Sequence, residues 1–194
     1  MTTDDDPKEI LRKSAWDEAF HCYGKAFVLE QRVSRFEKVF FAYDLVCFGF
    51  PIFVGLAALS FKVDKNAFKV LAIVGSAIGF ATMLFSLLCL IGRWREKWQN
   101  YQREIVLCST LFDDYRRFGK SPPNNEYRKQ FELLEIRRQE AEKGSATLTE
   151  EEKRIGYRFA ARQFERECAK CGVKPTDMAS TDCSVCGQFR KKFK

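Results

Sequence analysis

FFAYDLVCFGFPIFVGLAALSF, residues 40–61, and VLAIVGSAIGFATMLFSLLCLI, residues 70–91, decide how the rest of this chain is read. The first carries one charge, Asp44; the second carries none. As a helix rising about 1.5 Å per residue, each reaches roughly 33 Å, enough to cross a hydrocarbon core of about 30 Å. The competing reading is a pair of core helices in a water-soluble bundle. Such helices keep a polar face, whereas residues 70–91 offer only Ser76, Thr82 and Ser86, whose hydroxyls can bond their own backbone. The expectation is an antiparallel pair of membrane spans joined by residues 62–69. Phe40, Phe41, Tyr43, Phe61, Phe68, Trp94 and Trp98 then fall where amphipathic rings favour headgroups.

Orientation follows from lysine and arginine near the spans. Lys25, Arg32, Arg35 and Lys38 precede them and Arg93, Arg95, Lys97 and Arg103 follow, against Lys62, Lys65 and Lys69 between them, so both termini are expected in the cytoplasm. The opening MTTDDDPKE is acidic and does not read as a signal peptide. In that reducing compartment the eight cysteines are not expected to form disulfides. The net charge of +7 fits an anionic leaflet or nucleic acid equally.

Outward from the spans the pattern is helical throughout. Pro7 suits a first helical turn, with Asp4, Asp5 and Asp6 complementing its positive end. Apolar residues from Ile10 to Phe36 recur at three and four, predicting an amphipathic helix over 8–38 that feeds the first span. On it lies His21, the single histidine, which reads as a packed or surface residue. Pro51, beside Gly49, predicts a kink. Asp44 sits about one turn inside, where a carboxylate marks an ion path, reaches the interface, or pairs with Arg35 or Lys38. Gly75, Gly79, Ala72 and Ala81 form a small-residue face for packing within the hairpin or between copies.

A polar helix over 93–118 is expected to return alongside the first, stopped by Gly119 and by Ser-Pro-Pro-Asn-Asn at 121–125. Helices over 126–143 and, from a Thr149-x-x-Glu152 capping box, over 149–168 are expected to pair as a hairpin. The run EIRRQEAEK reads as a solvated face. The fold class is thus all-α: a two-span hairpin, long cytoplasmic helices and a small C-terminal zinc knuckle. Its divisions are 8–118 with the spans, 124–167, and 168–194.

The densest chemistry is CAKCGVKPTDMASTDCSVCG, with Cys168-x-x-Cys171, eleven residues, then Cys183-x-x-Cys186, and Gly172 and Gly187 after the pairs. Two such turns complete a four-thiolate shell, and the glycines allow left-handed turns that aim backbone N–H groups at sulfur. Zinc suits four soft thiolates in a reducing compartment; an iron–sulfur centre, rubredoxin-like iron and a redox dithiol are the alternatives. With every position filled by protein, the metal is expected to be structural. Arg190, Lys191, Lys192 and Lys194 around Phe189 and Phe193 suit phosphates and stacked bases, anionic lipid, or an acidic partner. No Gly-rich phosphate loop, Ser/His/Asp order or paired-acid motif is present, and catalysis is not expected.

The order of amphipathic helix, two spans and return helix over residues 8–118, with YGKAFVLEQRVSRFEKVFFAYDLV at 23–46 entering the first span, resembles the SLATT superfamily of bacterial two-span proteins. The C-x2-C-x11-C-x2-C tail is similar to a group of mobile-element proteins named for that spacing. These resemblances imply a membrane effector of a bacterial antiphage system in the inner membrane. It would be held quiet by a sensor protein or reverse transcriptase of the same locus, then assemble as a homo-oligomer that permeabilises the bilayer. The alternative is a membrane-tethered zinc-knuckle module that binds nucleic acid or a partner protein.

Overall fold

The computed structural model describes residues 6–60, 65–121 and 126–190. Asp4 and Asp5, the loop residues 61–64, the Pro-Pro-Asn-Asn stop at 122–125, and Lys191, Lys192, Phe193 and Lys194 lie outside the described residues. The elements are α1 (Pro7–Asp44), a π-helical turn (Leu45–Gly49), α2 (Phe50–Ser60), α3 (Lys65–Ile91), α4 (Trp94–Lys120), α5 (Tyr127–Glu142) and α6 (Glu150–Gln163). No strand occurs among the described residues. Asp6 caps α1: its carboxylate accepts from the Lys8 N–H at 3.1 Å. The chain divides into two compact units, residues 1–31 with 101–194, and residues 32–100.

In the first unit the stripe of α1 is the organising surface. Ala15, Ala19 and Cys22 of α1 pack with Leu111, Tyr115 and Phe118 of α4 and with Tyr127 and Leu134 of α5. Phe20 of the same helix meets Ala160 and Ala161 of α6. The small residues on α1 are there for proximity. A Cβ on Gly24 would lie 2.6 Å from the Gly156 carbonyl oxygen, and one on Gly156 would lie 2.6 Å from that of Gly24. The crossing of α1 and α6 is thus backbone on backbone. Either side of it Phe27 stacks on Phe159 at 3.6 Å between ring centroids, and Phe20 meets Tyr157 edge-on at 5.2 Å.

Both later helices pack on α1: α5 joins the α1–α4 core and α6 the opposite flank of α1. One expectation changes here, since EIRRQEAEK is not only a solvated face. Arg138 is three-quarters buried and reaches Glu18 of α1 at 3.6 Å, as well as Glu135 at 3.0 Å and Glu142 at 2.8 Å on its own helix. Burial raises the Glu18 carboxyl above its ordinary range, and Arg138 pulls the other way.

The capping box opens α6 as expected, with Thr149 Oγ1 accepting from the Glu152 N–H and the Glu152 carboxylate accepting from the Thr149 N–H. The helix ends at Gln163, five residues before the expected end at Cys168. Glu165 takes φ +50°, its N–H bonds the Arg162 carbonyl, and the Arg166 N–H bonds that of Ala161. This is a Schellman closure built on a non-glycine residue. It frees Cys168 from the helix. Because an L side chain in the left-handed region costs about 1 kcal/mol, exposed Glu165→Gly is expected to stabilise this unit by roughly that amount in urea denaturation.

In the second unit α3 runs antiparallel to the α1–α2 segment: Tyr43 bonds Ser86 at 2.5 Å, while Phe50 lies 3.7 Å from where a Gly75 Cβ would stand. Pro51 has no N–H for the Cys47 carbonyl, and the chain accommodates this by widening the turn just before it, Leu45–Gly49. The expected loop over 62–69 is shorter, since Lys65–Ile91 is helical. Helices Pro7–Leu56 and Lys69–Ile91 are long and apolar enough to cross a membrane, and none of their most apolar windows is buried. Phe48, Phe53, Ile73 and Phe80 are each about two-thirds exposed. Neither of these two windows is therefore buried in a core of this chain's own.

Candidate metal centre

The Schellman turn delivers Cys168 to the start of a strand-free segment, 168–190, that folds back on α6. Within each Cys-x-x-Cys turn the first cysteine carbonyl accepts the N–H of the following glycine: Gly172 to Cys168 and Gly187 to Cys183, both at 2.9 Å. The two glycines serve different ends. Gly172 has φ +66°, the left-handed residue the spacing predicts. Gly187 has an ordinary φ among the described residues and is required for space: a Cβ would land on Thr181 Oγ1 and 2.5 Å from the Thr181 carbonyl oxygen.

The four sulfurs lie within 4.8 Å of one another. Cys168 Sγ is 3.9 Å from Cys183 Sγ, and Cys171 Sγ 3.8 Å from Cys186 Sγ. A tetrahedral ion with metal–sulfur bonds of about 2.3 Å has an edge of about 3.8 Å, so the set fits one tetrahedral ion. An iron–sulfur cluster spreads its four thiolates over two or more iron atoms and needs those sulfurs further apart. Cys168, Cys171, Cys183 and Cys186 would hold the metal, and four protein thiolates leave no position for substrate or water. What the metal supplies when bound is cross-linking of the two turns.

Electrostatics favour thiolate at the first cysteine of each pair. Backbone N–H groups of Cys186 and Val185 depress Cys183 to about 6. At Cys168 burial opposes ionisation, but the N–H groups of Cys171 and Lys170 outweigh it and the net direction is down. Burial and the neighbouring thiols push Cys186 up to about 12. Cys22 and Cys108, in the helical core, are pushed up by burial and belong to packing.

The surroundings of the sulfurs hold what the linear pattern did not reveal. Arg158 of α6 is 5% exposed. Its guanidinium donates to the Asp177 carbonyl at 2.8 Å, the Asp177 carboxylate at 3.0 Å and the Cys186 carbonyl at 3.2 Å. It thereby grips both the connection and the second turn. Tyr157 Oη accepts from the Ala169 N–H at 3.1 Å, beside Cys168. Lys170 Nζ donates to Ser184 Oγ at 2.6 Å, bridging the two turns. The one sequence signal for Arg158 is a charge on the buried stripe of Ile155 and Ala161.

Phe189 corrects another expectation. It is buried against Val28 and Ile155, with Phe27 and Met178 around it. It is therefore a core residue and not a platform for a base. The Arg190 N–H bonds the Glu151 carboxylate at 2.5 Å, and Arg154 donates to the Gln188 carbonyl at 3.0 Å, so the segment is stitched to α6 along its length.

Outer contacts of this kind are worth about 10–100-fold in metal affinity. Arg158→Ala is expected to weaken metal binding by that factor in chelator competition, and Arg158→Lys, which keeps the charge but not the planar fork, is expected to recover only part. An unchanged affinity in Arg158→Ala would show the guanidinium to be packing alone.

A family model described as "Mobilome CxxCx(11)CxxC protein" matches residues 12–189. No curated protein and no solved structure matches the chain.

Proposed function

This chain belongs to the mobilome CxxCx(11)CxxC family, and from that premise we propose that it is a membrane effector of a bacterial antiphage system. In this reading residues 40–61, from the end of α1 through α2, and residues 70–91 of α3 lie in the inner membrane, both termini face the cytoplasm, and a trigger received by the helical body and its zinc centre converts the spans into an oligomeric lesion. The observation that carries it is the two apolar windows, one within Pro7–Leu56 and one within Lys69–Ile91, in which the chain itself buries no residue. A surface of that extent needs lipid or other copies to cover it. The SLATT-like order of helices and the family's mobile-element setting support the same reading. A hairpin of two helices has too little wall to enclose a pore, so the lesion requires several copies.

The small-residue face suggests how copies meet. Gly75 packs against Phe50 within the hairpin, whereas a Cβ on Gly79 would meet nothing within 4 Å. A glycine with open space around it lets a second helix approach closely. Gly79→Leu is therefore expected to leave membrane insertion and the fold intact while reducing permeabilisation at least about tenfold. The measurement is membrane potential and dye exclusion after induction with the triggering phage. No depolarisation by the native chain under those conditions would refute the effector reading.

The tethered-module alternative draws on the outward face of the first Cys turn, where Val173 and Lys174 are exposed. If that alternative holds, exchanging the spans for an unrelated two-span anchor preserves activity. The effector reading requires that the exchange abolish it.

A further inference from the structure

The second unit contains, beside the ends of its apolar segments, a cavity of about 620 Å³ whose lining is of mixed chemistry. Tyr43 and Asp44, at the end of α1, line one side; Arg95 and Trp98, in the first turns of α4, line another; Phe85 and Leu90 of α3 supply an apolar wall. Three polar groups here are unused. Asp44 and Arg95 make no hydrogen bond or ion pair among the described residues. The indole N–H of Trp98 is buried without a hydrogen-bond partner, a state unfavourable for a donor. The π-helical turn begins directly after Asp44, and such turns concentrate at functional sites.

We propose that this cavity binds the headgroup of a zwitterionic phospholipid bearing a primary ammonium, phosphatidylethanolamine. The proposal rests on the membrane reading above. Arg95 and the Trp98 N–H suit the phosphodiester, which accepts charge-assisted hydrogen bonds from both. Asp44, the one carboxylate in the lining, suits an ammonium with protons to donate. Phe85 and Leu90 lie where acyl chains leave the headgroup. A quaternary choline has no proton for Asp44, and phosphatidylglycerol brings an uncompensated negative charge to it. A carboxylate and a guanidinium at the junction of apolar span and polar helix thus match a headgroup of both signs. Asp44 acquires a role that neither an ion path nor pairing with Arg35 or Lys38 requires.

The test uses the full chain. Fractionation comes first: recovery in the supernatant without detergent would refute the membrane reading itself. The detergent-solubilised protein is then equilibrated with equimolar phosphatidylethanolamine, phosphatidylcholine and phosphatidylglycerol of matched acyl chains, and retained lipid is counted by native mass spectrometry. Phosphatidylethanolamine is expected to be retained about tenfold over the others, the effect of one hydrogen bond to a charged group. Asp44→Asn is expected to equalise the ethanolamine and choline lipids, Asp44→Glu to keep the preference, and Arg95→Gln to lower retention of all three. Equal retention by the native chain, or an ethanolamine preference untouched in Asp44→Asn, would overturn the inference while leaving the membrane reading standing. Displacement by millimolar soluble phosphoethanolamine would overturn the assignment to lipid.

Discussion

Cys183→Ser is expected to strip the metal from the protein and release residues 168–190 from α6. A serine hydroxyl does not ionise near neutral pH, so three thiolates remain where the tetrahedral shell needs four. Binding free energies of about 10–16 kcal/mol are typical of such sites and act as folding free energy. Burial of Phe189 contributes roughly 2 kcal/mol and the Arg158 bonds a few more. Ordering some twenty residues costs about 1–2 kcal/mol each, so those contacts alone do not hold the segment. The check is a metal-to-protein ratio near one falling to zero, together with tryptic cleavage after Lys170. A strong chelator is expected to do the same to the native chain. Persistent protection of Lys170 after metal loss would show that docking on α6 suffices. The metal recovered decides between zinc, which is colourless, and iron, which absorbs in the visible.

The same site sets a pH dependence. In the metal-free protein at pH 7, Cys183 is largely thiolate at about 6 and Cys186 keeps its proton at about 12. Metal binding at neutral pH therefore expels at least one proton. The apparent affinity is expected to rise at least about tenfold per pH unit above neutrality and to fall more steeply below pH 6, where Cys183 also takes up a proton. Competition titrations at pH 5.5, 7 and 8 measure both slopes.

Gly156→Leu is expected to cost roughly 4 kcal/mol or more and to detach α6 from α1. Helix propensity alone says the reverse, since replacing an interior glycine by alanine gains about 1 kcal/mol. The neighbour decides the sign. A Cβ at this position meets a backbone carbonyl at 2.6 Å, and backbone cannot rotate out of the way as a side chain can. Even Gly156→Ala is thus expected to destabilise by about 1–3 kcal/mol. Gly24→Ala should behave alike, because its Cβ would meet the Gly156 carbonyl oxygen at 2.6 Å in turn. Separation would expose the layer of Phe20, Tyr23, Phe27 and Val28 against Tyr157 and Phe159. Urea denaturation in detergent measures the loss. A Gly156→Ala protein more stable than the native chain would show that the crossing gives way.

Periodicity and length determined much of this molecule without further help: helices throughout, two segments too apolar for any face to suit water, a stop near Gly119, and a box of Thr149 and Glu152 opening α6. The spacing of Cys168, Cys171, Cys183 and Cys186 determined a four-sulfur site. These are local properties, carried by hydrogen bonds within a few residues or by ligands that one turn brings together. What only the tertiary structure decided is which side chains separated in sequence meet. Arg158 reads as one more charge on a polar helix until the knuckle folds over it. Glu104 reads as solvated until its carboxylate is found buried beneath the Ala146 N–H, holding the α5–α6 connection to α4. Gly24 and Gly156 carry no pattern of their own and matter because two backbones cross there. The physical reason is the same in each case. Burial and close approach belong to pairs of surfaces, and one stretch of chain does not specify the surface it will meet.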